Sequence, residues 1–160
     1  MTVLSAQSIR KRGIFEPFHE RTVSHGMTFG LGPSGYDVRI AEDVTLSNSV
    51  YGPFRFTLAS TIEHFTMPID CVGYVKDKST WARRGVLVQN TVLEAGWIGV
   101  LTLELSYEGD GQIHIPAGSP IAQIVFHMLD EPTEMPYNGK YQHQKAGPQP
   151  AIMASAEVLE

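Results

Sequence analysis

The densest polar run in the chain is Asp77-Lys78-Ser79-Thr80-Trp81-Ala82-Arg83-Arg84-Gly85, and its residue types are those that hold an anion. Ser79 is placed to cap one helical turn, which would leave backbone N–H groups free at its start. Such a turn attracts phosphate, and Lys78 beside it adds a mobile positive charge. Arg83 lies four residues after Ser79, so the two can project from one face. The pattern fits a phosphate cradle, and it fits a charged surface turn equally well.

A second chemical candidate is Glu104, within Val100-Leu101-Thr102-Leu103-Glu104-Leu105. Strand alternation puts Leu101, Leu103 and Leu105 on one face and Val100, Thr102 and Glu104 on the other. A carboxylate among apolar neighbours costs free energy unless it is paired or hydrogen-bonded. Burial would also raise its pKa towards the range useful for proton transfer. The competing reading is a glutamate on the solvent face of an antiparallel sheet. A third cluster, Pro136-Tyr137-Asn138-Gly139-Lys140-Tyr141-Gln142-His143-Gln144, offers aromatics for stacking, a cation, and amides able to bond a base or sugar. Alone it could be a polar tail.

These residues need elements to position them. Ser5 to Arg12 reads as a short helix, with Ser5 as N-cap and Gly13 as stop. Glycines and Pro33 mark Gly26 to Gly35 as a loop. From Tyr36 to Val44, apolar Tyr36, Val38 and Ile40 alternate with Asp37 and Arg39, which predicts a half-buried strand. Further strands are predicted at Phe54–Leu58, Val72–Val75, Val86–Gln89, Ile98–Ser106, Gln112–Ile115 and Ile121–Met128. Turn signals separate them at Gly52-Pro53, Met67-Pro68, Ala95-Gly96, Gly109–Gly111 and Pro116–Gly118. Short strands at close spacing with little helix suggest a sandwich or distorted barrel. The reading is one domain over 1–160, with 145–160 as a C-terminal arm or mobile tail.

At 160 residues the chain has the size of one ordinary domain. Its net charge of −5 argues against a nucleic-acid backbone as partner, since that needs a basic face, but leaves room for a small phosphorylated ligand. The single cysteine, Cys71, can form no internal disulfide and reads as a small buried hydrophobe in a reducing compartment. Neither a signal peptide nor an apolar run of the ~18 residues a membrane span needs is visible, so the expectation is a soluble, cytoplasmic protein. Zinc-dependent nucleobase deaminases require closely spaced cysteines beside a further ligand, which one cysteine cannot supply.

Taken together, the three clusters resemble the dCTP deaminase branch of the trimeric dUTPase-like superfamily. The family pattern is an Arg/Lys-Ser-Ser/Thr-x-Ala-Arg turn, then Gly-Trp-x-Gly leading into a strand ending Leu-Glu, then a late Pro-Tyr…Lys-Tyr…Gln segment. Here these stand in order as Lys78–Arg83, Gly96-Trp97-Ile98-Gly99, Leu103-Glu104 and Pro136–Gln144. Tyr36-Asp37-Val38-Arg39 and Pro116-Ala117-Gly118 match as well, so the resemblance runs roughly from Gly35 to Gln144.

The resemblance implies a mainly β, distorted barrel or jelly-roll-like dUTPase fold with a short N-terminal helix and one short helical turn. It implies Glu104 as the general base that activates water for attack on C4 of cytosine, with Ser79 and Arg83 orienting water and base. Lys78, Thr80, Tyr137, Lys140 and Gln144 match triphosphate and sugar contacts, and Thr102 and Leu103 match backbone positions near the base. Trp97 lies in the matched Gly-Trp-x-Gly segment and is carried over with the nucleotide-binding residues. Mg²⁺ would accompany the triphosphate of dCTP. The family forms homotrimers with sites between subunits, so Arg83 and Glu104 would meet in trans.

The stretch Gln89-Asn90-Thr91-Val92-Leu93-Glu94 is a couple of residues shorter than its family counterpart, and it carries Glu94, a candidate sugar contact, where the family usually has Asp. Two alternatives remain. A bifunctional enzyme taking dCTP through to dUMP would share nearly all these residues, with Glu94 as a second carboxylate. A non-catalytic nucleotide-binding regulator could use the same fold.

Overall fold

A computed structural model of the protein describes residues 2–153. In chain order the elements are β1 (Thr2–Val3), α1 (Ala6–Arg12), β2 (Phe15–Glu16), β3 (Thr22–Ser24), β4 (Met27–Gly32), β5 (Gly35–Arg39), β6 (Val44–Ser47) and β7 (Phe56–Thr66). They continue as β8 (Cys71–Asp77), α2 (Ser79–Ala82), β9 (Val86–Val88), β10 (Val92–Leu93), β11 (Ile98–Tyr107), β12 (Gln112–Ile115) and β13 (Pro120–Met128). Among the described residues no helix is long and apolar enough to cross a membrane.

Alternation governs the strands and so places the core. Tyr36, Val38 and Ile40 are fully buried while Asp37 and Arg39 face outward, as period two requires. The larger sheet runs β10-β8-β13-β5-β4-β3, with β1 added along β13. A second sheet runs β2-β7-β11-β9, and β12 pairs with β6 alone. Between them Phe15 stacks on Tyr36 with centroids 4.0 Å apart and meets Phe65 and Phe126 edge-on. Edge-to-face contacts such as the latter two are favoured over a face-to-face sandwich. The mainly β architecture, with one short N-terminal helix and one short helical turn, is the one the sequence resemblance implies.

Several boundaries differ from expectation. Gly26 to Gly35 is not a loop: Met27–Gly32 forms β4, joined to β5 through a tight Pro33-Ser34 turn with Gly32 opposite Gly35. The glycine inside it has a packing reason. Gly30 has φ +83, and a Cβ there would lie 2.5 Å from the carbonyl oxygen of Glu20. The strand predicted from Tyr36 to Val44 breaks after an isolated bridge from Ile40 to Thr61 and resumes as β6. The strand expected over Phe54–Leu58 runs much further, to Thr66.

β11 contains a bulge between Val100 and Thr102 in its pairing with β7, where the Leu101 N–H donates to Thr61 Oγ1 at 3.1 Å. Leu103 and Leu105 are fully buried, but Leu101 is only partly so and does not share their face as strict alternation predicted. The bulge turns it towards the cavity described next.

Candidate active site

The β9–β11 ladder ends at Val88, after which the chain swings away to form β10 against β8. The departure leaves a cavity of about 480 Å³ beside β11. Leu101, Thr102 and Glu104 form one wall, and Phe56 and Leu58 from the paired strand β7 extend it. The facing wall comes from Thr91 to Glu94, Trp97, Tyr137, Tyr141 and Gln144.

Glu104 is partly buried and sits directly across from Leu58. Among the described residues it has no ionic partner. Desolvation therefore holds its carboxyl above the usual glutamate range. A carboxylate so placed is a stronger base than an exposed glutamate and is better able to take a proton from water and return it.

The C-terminal wall is held by an unusually dense set of backbone contacts. Trp97 Nε1 donates to the Tyr141 carbonyl at 2.7 Å. The Gln142 amide accepts from Ile98 N at 2.7 Å and donates to the carbonyls of Gly96 and Tyr137 at 3.0 and 2.9 Å. Val100 N donates to Gln144 O at 2.9 Å. Gly99 lets this happen: its φ is +153, and a Cβ would stand 2.7 Å from Gln144 N. Beyond this, Gln149 N donates to Thr102 Oγ1 at 3.0 Å and Ile152 N to the Tyr141 hydroxyl at 3.1 Å, so residues 149–152 lie along the cavity mouth. Residues 154–160 of the expected arm lie outside the described residues.

A separate, polar cleft of about 290 Å³ lies at α2 and the β4–β5 hairpin, lined by Arg21, Asp37, Asp77, Lys78, Ser79 and Gln123 among others. Lys78 is buried, and its ammonium pairs with Asp37 at 2.8 Å. Asp77 accepts from Val88 N at 2.8 Å. Ser79 does not cap the turn: Lys78 holds the N-cap position, without a side-chain cap bond, and Ser79 is the first helical residue.

The predicted residues thus fall into two groups. Glu94, Trp97, Thr102, Glu104, Tyr137 and Gln144 converge on the larger cavity. Lys78 and Ser79 line the other cleft, while Thr80 and Arg83 are exposed and line neither. Leu103 is fully buried, so only its backbone is near the cavity wall. Lys140 is exposed, with its ammonium 5.1 Å from the Tyr141 ring centroid and bonded to the Ile152 carbonyl. Sequence reasoning gave no role to Asn90, whose amide bonds β11 on both sides of Leu103. Nor did it single out Gln142 within its segment; an amide-rich stretch is the only local signal for either.

The family model described as dCTP deaminase-like matches residues 37–129. The dCTP deaminase of Campylobacter hominis is 35% identical over 175 residues, covering 92% of this chain and 92% of that protein. The dCTP deaminase of Acidobacterium capsulatum is 32% identical over 176 residues, covering 91% of this chain and 96% of the other. Among solved structures, the 2'-deoxycytidine 5'-triphosphate deaminase from Agrobacterium tumefaciens superposes with a TM-score of 0.59 at 17% identity, over 79% of this chain and 47% of that one. The EIAV dUTPase does so with a TM-score of 0.56 at 16% identity, over 79% of this chain and 97% of that one. At such identities the structural likeness is one of fold, whereas the sequence matches identify the lineage: the chain belongs to the dCTP deaminase family.

Proposed function

We propose that the protein hydrolyses dCTP to dUTP and ammonia in cytoplasmic pyrimidine deoxynucleotide metabolism, with the chemistry at the cavity that holds Glu104. The observation carrying this reading is a carboxylate without an ionic partner, raised by desolvation, in a cavity walled by aromatic and amide groups. The relatives named dCTP deaminase along nine-tenths of the chain supply the substrate.

Glu104 takes a proton from water, whose oxygen then bonds to C4 of cytosine. The carboxyl gives that proton to N3, then takes the proton of the new C4 hydroxyl and passes it to the exocyclic nitrogen; the C4–N bond breaks, and ammonia leaves as the uracil carbonyl forms. Thr102 and the Thr91–Glu94 segment face the base and sugar; Trp97, Tyr137 and Gln144 close the pocket around them.

Ser79 and Arg83 enter in trans. Their exposure, and their absence from the Glu104 cavity lining of their own chain, support a site completed by α2 of a second copy in a homotrimer. Lys78 and Thr80 would then meet the triphosphate together with Lys140. The carboxylates lining the α2 cleft are already engaged, Asp37 with Lys78 and Asp77 with Val88 N. With those carboxylates taken, a Mg²⁺ ion would come with the triphosphate and would supply charge neutralisation there.

Glu94, exposed at the cavity, keeps a second reading open in which the enzyme also hydrolyses the nucleotide to dUMP. Incubation of the purified protein with dCTP and Mg²⁺, without zinc, followed by anion-exchange separation, tests both. dUTP with ammonia is the expected outcome. dUMP with pyrophosphate would establish the bifunctional reading, and consumption of neither dCTP nor dUTP would favour a nucleotide-binding regulator.

A further inference from the structure

Asn90 sits where the β9–β11 ladder stops. Up to that point the rungs are made by main chain: Tyr107 opposes Val86, Ser106 opposes Leu87, Leu105 opposes Val88, and Gln89 N donates to Glu104 O at 2.8 Å. Beyond Gln89 the backbone leaves, and the side-chain amide of Asn90 takes its place. Its Nδ2 donates to Thr102 O at 2.7 Å and its Oδ1 accepts from Glu104 N at 3.0 Å. The orientation of the amide follows from the partners, since a flip would set carbonyl against carbonyl and N–H against NH₂. On the opposite edge β7 pairs the same three residues, with Ser60, Ala59 and Leu58 opposite Thr102, Leu103 and Glu104. The strand is therefore gripped from both sides at the point where Glu104 projects, although main chain has withdrawn from one side to make the cavity.

We infer that Asn90 is a positioning residue, which fixes the Glu104 backbone and seals the open edge of β11 against water and against the substrate itself. The inference rests on the reading of Glu104 as the proton-transfer group. An unsealed edge would present one acceptor and one donor to the cavity. A pyrimidine carries a complementary donor–acceptor edge and would pair there out of reach of the carboxylate. With the side chain in place that pairing is blocked, and the base is left to the groups on the facing wall. Aspartate cannot serve, because a carboxylate oxygen would oppose Thr102 O.

The test uses Asn90→Ala and Asn90→Asp in the full chain, with the Glu104 carboxyl titrated by NMR in protein carrying ¹³C-labelled glutamate and assigned through Glu104→Gln. Removing the amide admits water to the strand edge, so in Asn90→Ala the Glu104 titration moves down towards the ordinary range and exchange of its N–H accelerates. Asn90→Asp adds a negative charge beside it and moves the titration up. In parallel, kcat for dCTP falls about ten- to a hundredfold in both variants with KM changed far less, as expected for a misplaced catalytic group. The acid limb of the kcat profile follows the NMR titration. If the wild type turned over no dCTP while both titrations shifted as stated, the substrate reading would fail and the inference would stand. Unchanged titration, N–H exchange and turnover in Asn90→Ala would overturn the inference whatever the substrate.

Discussion

Glu63 on β7 and Glu104 on β11 lie on neighbouring strands of one sheet, yet their carboxylates are treated in opposite ways. Glu63 is fully buried and accepts from both the backbone N and the Nε of Arg39, each at 2.9 Å. The guanidinium is itself laid over the Phe29 ring, 4.6 Å from its centroid. Glu104 is less buried and has no such partner. The first carboxylate has its desolvation offset by charge and hydrogen bonds and is tied into the scaffold. The second leaves its desolvation uncompensated beside a cavity, the arrangement that makes a carboxyl available for proton transfer.

The contrast is broken most directly by Glu104→Gln. Ammonia release from dCTP should drop about a thousandfold, within the range ascribed to general-base catalysis, while nucleotide binding by calorimetry is retained. Undiminished turnover would remove Glu104 from the mechanism. The same variant tests the electrostatics. Because the folded-state pKa of Glu104 is raised above its unfolded value, its contribution to stability is fully present below the unfolded pKa and is lost as pH rises through the folded one. The denaturation midpoints of wild type and Glu104→Gln should therefore converge in acid, with the wild type falling behind as pH increases. Parallel curves would mean the carboxyl is not desolvated.

Glu63→Ala should act the other way, on stability and not on chemistry. Removing the buried carboxylate leaves the partly buried Arg39 guanidinium without its partner and costs at most about 3–5 kcal/mol, read as a lower urea midpoint, with kcat per folded molecule kept. A loss of kcat in fully folded protein would mean that Glu63 also serves the site. The smallest effect is expected from Gln142→Ala, which removes three amide hydrogen bonds from the C-terminal wall. At about 1–3 kcal/mol and confined to that segment, it should speed amide exchange around Tyr137–Gln144 and raise KM for dCTP, with little change in the global midpoint.

What could be read in advance follows from how local its cause is. The alternation Tyr36-Val38-Ile40 and the strand Gln112–Ile115 were visible because burial there obeys period two. The sequence signal for β7 stops at Leu58 because Ser60, Thr61 and Glu63 look like surface residues; they are buried, and the partners of Ser60 and Glu63 lie on other elements. Ser60 is held by the Glu42 carboxylate through both its N–H and its hydroxyl, and Glu63 by Arg39. At the site, Glu104 and the late aromatic segment stood out by residue type. That Lys78 and Ser79 face a different cleft from Glu104 was not visible from spacing, which cannot tell whether two motifs meet in one chain. Asn90 was silent for the same reason, since both its partners lie on another strand.

The bulge at Leu101 separates β11 into two segments with independent phase. A strict ladder is unforgiving of insertions and deletions, because a one-residue slip exchanges inner and outer faces along its whole length. Here the slack is already present, so the half that docks the C-terminal segment at Gly99 and Val100 can keep its pairing while the half bearing Thr102 and Glu104 keeps its own. Excising Leu101 would straighten the strand and force one half to invert relative to the other. Conversely, length changes at Thr91, between the Asn90 anchor and β10, leave both halves in phase, which makes that link the place where this architecture can reshape its pocket without unpicking its sheet.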